Sequence, residues 1–148
     1  MKISNAAINT MLNILNKYGD YKLPSKVSYS IIRNSEILEA ENKIYMKQLS
    51  KIYEEYVEKD DSGNYMYDTV DENKIPRTKE NCQDAFVNEV NELLKITVDI
   101  SLSFLEKKDV LFDDPNDRFD VLTPRQTCEL MSVLCIDEEK EEAEKEKK

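Results

Sequence analysis

The spacing of apolar residues near the N-terminus predicts a helical hairpin. From about Asn5 to Tyr18, apolar residues recur at the three- and four-residue intervals of one helix face, with Ser4 as N-cap and Gly19 as a left-handed C-cap. A second helix is predicted from about Ser25 to Lys59, because this stretch contains no Gly or Pro. The short connector favours helix one folding back antiparallel on helix two.

The second helix leaves an alternative open. Four of its apolar residues are spaced seven apart and form a short heptad seam, which Asn42 interrupts: Ile31, Leu38, Tyr45 and Ile52. A coiled-coil dimer is compatible with this seam, and so is the hairpin. We favour the hairpin because helix one supplies a matching apolar stripe. A homo-oligomer that uses the outer part of the long helix stays open.

Beyond residue 59 the pattern changes to that of strands and short helices. A turn at 61–64 precedes a strand over 65–70, Pro76 ends regular structure, and a helix follows over about 80–94. Strict alternation of apolar and polar residues over 96–104 predicts a strand with one face on the core. Weaker strands are predicted at 110–112 and 119–122. Thr123, Pro124 and Gln126 then read as N-cap, first residue and capping-box partner of a last helix that reaches about Ile136.

Together these elements predict an α+β fold. It consists of a long N-terminal antiparallel helical hairpin joined to a small, mostly antiparallel sheet with short helices. Residues 1–136 are predicted to form one domain, with the hairpin in 1–59 and the sheet and short helices in 60–136. Residues 137–148 are predicted to be a charged tail that prolongs or frays the last helix.

Composition excludes several classes of function. The formal charge of −10 disfavours binding to duplex nucleic acid. The chain has no His, which removes Ser-His and Cys-His nucleophile pairs, and its two Gly cannot form a glycine-rich phosphate loop. No apolar run or signal-like N-terminus is present, so we expect no membrane association. The three Cys are expected to be reduced thiols in a cytoplasm.

Neither the acidic loop nor the cysteines predict a metal site. The loop over 109–120 carries five Asp but lacks the central Gly of a calcium loop and includes Arg118, so we interpret it as a solvated turn. Three thiols without His do not complete a zinc site. Cys128 and Cys135 lie seven apart and are expected to pack as small apolar residues in the core. We therefore predict neither a metal nor a cofactor, and no catalytic residue.

One basic segment stands out from the acidic background. Three of its residues are spaced three and four apart on the side of helix two away from the apolar stripe. Basic and aromatic side chains at a helix start can hold a phosphate or an acidic partner. The alternative is a solvated face whose charges pair with Glu36 and Glu39. The candidate ligand- or partner-binding residues are Lys22, Lys26, Tyr29 and Arg33.

The same segment carries a resemblance. A Lys-Leu-Pro connector is followed by a Lys, an aromatic residue, Arg33-Asn34, a Glu-rich helix ending in Tyr56, and an acidic turn containing Gly63. This pattern, together with the KITVDI strand and the LTPRQTCEL helix start, resembles an uncharacterised family of small phage and prophage proteins from low-GC Gram-positive bacteria. The resemblance spans most of residues 1–136. It implies an origin in a virus or prophage, and it implies no activity or site.

The sequence thus predicts a non-enzymatic, phage-encoded protein-binding module in the cytoplasm of a bacterial host. Its expected partner is a host or phage protein, and its expected role is inhibition of a host defence or regulatory protein. One alternative is a virion-assembly factor or chaperone. Another is a binder that sequesters an anionic nucleotide signal through the basic segment.

Overall fold

The predicted fold class is confirmed by a computed structural model, which describes residues 1–136 and residue 146. This part of the chain has an α+β fold with five helices and two small antiparallel sheets of two strands each. In chain order the elements are β1 (Lys2–Ser4), α1 (Asn5–Tyr18), α2 (Ser25–Tyr56), β2 (Tyr67–Val70), β3 (Asn73–Pro76), α3 (Gln83–Lys95), β4 (Thr97–Asp99), α4 (Lys107–Val110) and α5 (Pro124–Leu134).

The two N-terminal helices form the predicted hairpin. The Ser4 hydroxyl accepts a hydrogen bond from the Ala7 N–H (3.2 Å), as expected of the N-cap of α1. The left-handed C-cap at Gly19 is wrong, because its φ of −59° and ψ of −33° are right-handed. A right-handed turn suffices here, since the Tyr21 N–H donates to the Tyr18 carbonyl (3.2 Å). α2 ends at Tyr56 rather than Lys59, since the next residues are extended.

Two apolar clusters lie along α2. The larger joins α1, the first half of α2, β4, α4 and α5, and the smaller joins the second half of α2 to α3. The heptad seam is buried inside the chain, with two residues in each cluster: Ile31 and Leu38 in the larger, and Tyr45 and Ile52 in the smaller. Intramolecular packing therefore covers the seam that a coiled-coil dimer would use, while the outer face of α2 is not packed on the core.

The strands form two separate sheets instead of one. β1 pairs antiparallel with β4, placing Ile3 opposite Val98. β2 pairs antiparallel with β3, placing Asp68 opposite Ile75, and the sequence missed β3 because Pro76 reads as a breaker. The second sheet is a hairpin whose two-residue turn, Asp71-Glu72, has positive φ at both positions (49° and 67°).

The strand predicted over 96–104 is three residues long, Thr97–Asp99. Its partner β1 has only three residues before α1 begins, so ladder pairing stops there. Beyond it, other groups satisfy the main chain. The fully buried Asn34 accepts from the Ser103 N–H with Oδ1 (2.7 Å) and donates from Nδ2 to the Ser103 carbonyl (2.9 Å). Farther on, the Leu105 N–H donates to the Leu134 carbonyl (2.7 Å). A side chain thus replaces a neighbouring strand.

The two weaker strand predictions are wrong. Val110 is the last residue of α4, whose capping box joins Glu106 and Asp109, and residues 111–112 follow the helix. Residues 119–122 form an irregular segment, because the Asp120 N–H donates to the Lys22 carbonyl (2.8 Å) in the hairpin connector instead of joining a sheet.

The last helix begins as predicted and ends earlier. Thr123 and Gln126 form the capping box, with Pro124 as the first residue. The helix ends at Leu134, since Cys135 is extended and bridges Leu105. Of the predicted tail, residues 137–145, 147 and 148 lie outside the described residues.

The expected core packing of Cys128 is wrong, because its side chain is exposed. The buried stripe of α5 consists of Leu130, Val133 and Leu134. Cys128 precedes Leu130 by two positions, about 160° around the helix from the middle of that stripe at 100° per residue. Cys135 is half-buried, and the pKa of its thiol is raised by burial.

Candidate functional site

The four predicted site residues lie at the start of α2 and in the connector before it. All four side chains are exposed. The main chain of Lys22 is fixed by Asp120, whose Oδ2 accepts from the Lys22 N–H (2.7 Å) and whose own N–H donates to the Lys22 carbonyl (2.8 Å). This clamp holds the connector, and with it the entry into α2, against the loop that precedes α5.

One of the four has its charge paired within the chain. The Lys26 ammonium donates to both carboxylate oxygens of Asp109 at 3.0 Å. The hydrogen bond from Lys26 lowers the pKa of Asp109, whose side chain is only 14% exposed and also closes the capping box of α4. A phosphate would compete with this carboxylate for the ammonium, so Lys26 offers less to a free anion than its sequence position indicates.

The structure exposes an apolar residue next to the remaining pair. Tyr29 is 61% exposed and Ile32 is 58% exposed, one helical turn apart, with Arg33 beside them. Within the described part of the chain, Arg33 makes no ion pair, so the pairing with Glu36 or Glu39 is not formed. We call Tyr29, Ile32 and Arg33 the Tyr29 face. Ile32 was not among the predicted site residues, although its place about one helical turn after Tyr29 is visible in the sequence.

The acidic segments satisfy their own main chain. Asp114 accepts from the N–H groups of Arg118 (2.8 Å) and Phe119 (3.0 Å), as the turn interpretation of that loop predicts. Asp60 likewise accepts from Ser62 (2.9 Å) and Asn64 (3.0 Å). Residues 1–136 hold no group of three or more carboxylate or thiol side chains placed to bind a metal ion.

A second exposed surface is the β2–β3 hairpin, which we call the arm. Of its two strands, the sequence predicted only the first, over 65–70. Every residue of β2 and all but the last of β3 are exposed. Its apolar side chains are exposed on both faces: Tyr67 (46%), Val70 (50%) and Ile75 (42%). Arg77 donates from Nε (3.0 Å) and Nη2 (2.6 Å) to Asp68, and this contact lowers the pKa of the Asp68 carboxyl.

The base of the arm is tied to the end of α2. The Glu58 N–H donates to the Arg77 carbonyl (2.8 Å), and the Glu58 carbonyl accepts from the Met66 N–H (2.8 Å). Tyr53 packs edge-on against Tyr65, with ring centroids 5.5 Å apart. An isolated two-stranded hairpin is only marginally stable in water, so these contacts hold the arm in place.

Glu54 completes this attachment. Its Oε2 accepts from the Lys59 ammonium (2.6 Å) and from the Tyr65 hydroxyl (2.9 Å). The hydrogen bond from Lys59 is the larger cause that lowers the pKa of Glu54, and the one from Tyr65 is the second. The Lys59 ammonium also lies 5.1 Å from the Tyr65 ring centroid.

The sequence matches no protein-family model, and comparison with curated proteins and with solved structures yields no significant match. Over the described residues, no helix has both the length and the apolar character needed to cross a membrane.

Proposed function

We propose that this chain is a non-enzymatic protein-binding module that uses the Tyr29 face. The exposure of this face carries the proposal. Tyr and Arg are the residue types most enriched where protein interfaces concentrate their binding energy, and apolar neighbours such as Ile32 add area that loses water on contact. Helix α2 presents these side chains from a rigid element, so little conformational freedom is lost when a partner binds.

The electrostatics favour a protein partner over a free anion. Lys26 is already paired with Asp109, which leaves Arg33 and Lys22 as the basic groups of the segment. The net charge of −10 repels phosphate-rich ligands at long range. The same charge favours rapid association with a basic surface on another protein. Sequestration of a nucleotide is therefore the weaker alternative.

The resemblance to phage and prophage proteins supports a role inside an infected bacterial cell. We propose that the partner is a host defence or regulatory protein whose activity is inhibited by binding. The three free thiols are compatible with a reducing cytoplasm. Recovery of a phage structural protein as the partner would instead favour a role in virion assembly.

Affinity purification with matched variants tests the proposal. The test variant combines Tyr29→Ala and Arg33→Ala, and the control combines Met46→Ala and Lys47→Ala. The control removes one exposed apolar and one exposed basic side chain from the same helix, about 25 Å farther along at 1.5 Å per residue. Circular dichroism confirms that both variants remain folded.

We expect wild type and the control to capture the same protein from host or infected-cell lysate. The Tyr29/Arg33 variant should bind the purified partner more than about tenfold more weakly, since each such residue in an interface centre contributes about 2 kcal/mol or more. Equal affinity of the test variant and the control would show that the Tyr29 face is not the binding surface.

A further inference from the structure

The two edges of the arm differ in their free main-chain groups. Val70 and Asn73 flank a two-residue turn, so they exchange hydrogen bonds with each other, as do Asp68 and Ile75 two positions on. The intervening residues of both strands point their N–H and C=O groups outward. On β2 the outward residues are Tyr67 and Thr69, and among the described residues their N–H groups make no hydrogen bond.

The β3 edge is protected, whereas the β2 edge is open. The outward residues of β3 are Lys74 and Pro76. Pro76 has no N–H to donate, and Lys and Pro are the residues that proteins place on strand edges to prevent further pairing. Tyr67 and Thr69 both favour strands and offer no such protection. Another strand can therefore extend this sheet at β2 and not at β3.

The chain around β2 is acidic, whereas the chain around β3 is basic. Residues 54–72, which include β2 and the turns on either side of it, hold eight acids and a single base, Lys59. Residues 73–79, which include β3, hold three bases and no acid. Residues 54–72 therefore carry a net charge of −7, or −6 when Arg77, which is ion-paired with Asp68 on β2, is counted with them. An incoming strand that carries Lys or Arg is favoured there, and an acidic one is repelled.

We propose that the β2 edge of the arm binds an extended, basic segment of another protein, which adds as a strand beside Tyr67 and Thr69. Main-chain hydrogen bonds would supply affinity, and the exposed Tyr67 and Val70 would contact side chains of the segment on opposite faces of the sheet. This inference rests on the proposed function as a protein-binding module, and it names a second surface, at the far end of α2 from the Tyr29 face.

A second copy of the chain is a poorer occupant. Antiparallel self-pairing of β2 would bring two segments of charge −7 together. Pairing of β2 with the β3 edge of another copy would meet Pro76 and Lys74. The arm is held by Glu58 and the Tyr53–Tyr65 contact before any partner arrives, so the edge needs little ordering to bind.

The test uses a defined probe, a ten-residue peptide of alternating Lys and Val. Two comparison peptides are used. One has Glu in place of Lys, and the other is the Lys-Val sequence with the main-chain nitrogens of its central residues all methylated, so that neither strand edge can donate there. Affinity is measured by fluorescence anisotropy with the full chain at moderate salt. Amide hydrogen exchange is followed by nuclear magnetic resonance at Tyr67, Thr69 and Lys74.

We expect the Lys-Val peptide to bind and to slow exchange at Tyr67 and Thr69 while leaving Lys74 unchanged. The Glu-Val and methylated peptides should bind at least about tenfold more weakly, since they lose charge complementarity or main-chain hydrogen bonds. Thr69→Pro removes one outward N–H without touching the hydrogen bonds inside the arm, and it should weaken binding by about tenfold. Lys74→Pro is the matched control on the protected edge and should leave affinity unchanged.

A second variant covers the case in which proline distorts the arm. Thr69→Lys keeps the strand and adds a repelling charge at the edge, so it should also weaken binding of the Lys-Val peptide. Equal binding of the methylated peptide, or protection at Lys74, would overturn strand addition at β2. Loss of peptide binding in the Tyr29/Arg33 variant would also overturn strand addition, because it would show that the peptide binds the Tyr29 face. The proposed protein-binding function would then still stand.

Discussion

The contact between Asn34 and Ser103 gives the sharpest prediction about stability. Asn34 is fully buried on α2, and its amide satisfies both main-chain groups of Ser103, at 2.7 Å and 2.9 Å. Asn34→Ala removes both hydrogen bonds and leaves the N–H and C=O of Ser103 without a partner. A buried group left unpaired costs about 1–3 kcal/mol. Because Ser103 is half-buried, water reaches part of this site, and the lower half of that range applies to each group.

We therefore expect Asn34→Ala to lower the free energy of unfolding by about 2–3 kcal/mol. For a chain of this size the loss corresponds to a decrease of about 5–10 °C in Tm. Urea denaturation followed by circular dichroism at the helix band measures it. Amide exchange at Ser103 should accelerate in the variant, because its N–H no longer has an acceptor.

Asn42→Ala is the matched control on the same helix. The Asn42 Oδ1 is buried and has no hydrogen-bond partner among the described residues. Its removal should therefore cost no stability. Asn42→Ala should be neutral or stabilising, because it removes an unpaired buried oxygen and Ala favours the helix more than Asn does. Equal losses for the two variants would refute the reasoning, since helix position and not the Ser103 contact would then set the cost.

Local geometry gives three further predictions. Gly63→Ala should destabilise the fold by about 1–2 kcal/mol, because φ is +83° there. Gly19→Ala should be neutral or stabilising by up to about 1 kcal/mol, because Gly19 is right-handed and an added Cβ meets only ordinary contacts; urea denaturation of both variants checks the opposite signs. Burial, followed by the hydrogen bond to a carboxylate, raises the pKa of Tyr18 to about 12. The unfolded phenol ionises near the ordinary value of 10.0. The stabilisation that comes from this raised pKa is therefore fully present below pH 10.0 and is lost as the pH rises to about 12. Measured over that range, the stability difference between wild type and Tyr18→Phe should shrink, and a constant difference would contradict this assignment. Finally, a thiol reagent at neutral pH should modify Cys128 before Cys135, since Cys128 is exposed and burial raises the pKa of the Cys135 thiol. Mass spectrometry gives the order of modification, and faster reaction at Cys135 would contradict the burial pattern.

Part of the candidate site could be read from the sequence. Helical periodicity placed Lys26, Tyr29 and Arg33 on the outer side of α2, and all three side chains are exposed there. Their partners could not be read. The pairing of Lys26 with Asp109 joins residues 83 positions apart, so no local pattern reports it. The strand predicted over 65–70 contains β2, the first strand of the arm. The second strand, β3, was missed because Pro76 argues against a strand, whereas its outward edge position makes it compatible with one.

Local rules by themselves determined the elements whose stabilising contacts lie within a few residues. The caps at Ser4 and Thr123 fixed where α1 and α5 begin, since each side chain accepts a hydrogen bond from the main chain three residues on. The heptad seam of α2 marked its buried face correctly. These features depend on near neighbours along the chain, which the sequence lists in order.

Only the tertiary structure decided the features that need distant partners. The alternating residues 96–104 have a strand pattern, yet pairing stops at Asp99, because β1 is short and Asn34 takes over the main chain of Ser103. The same seam residues of α2 could have served a dimer, and the chain instead packs α1 and α3 against them. Alternation reports which side of a segment is apolar, whereas the number of paired residues depends on how much main chain a neighbour brings within hydrogen-bond reach.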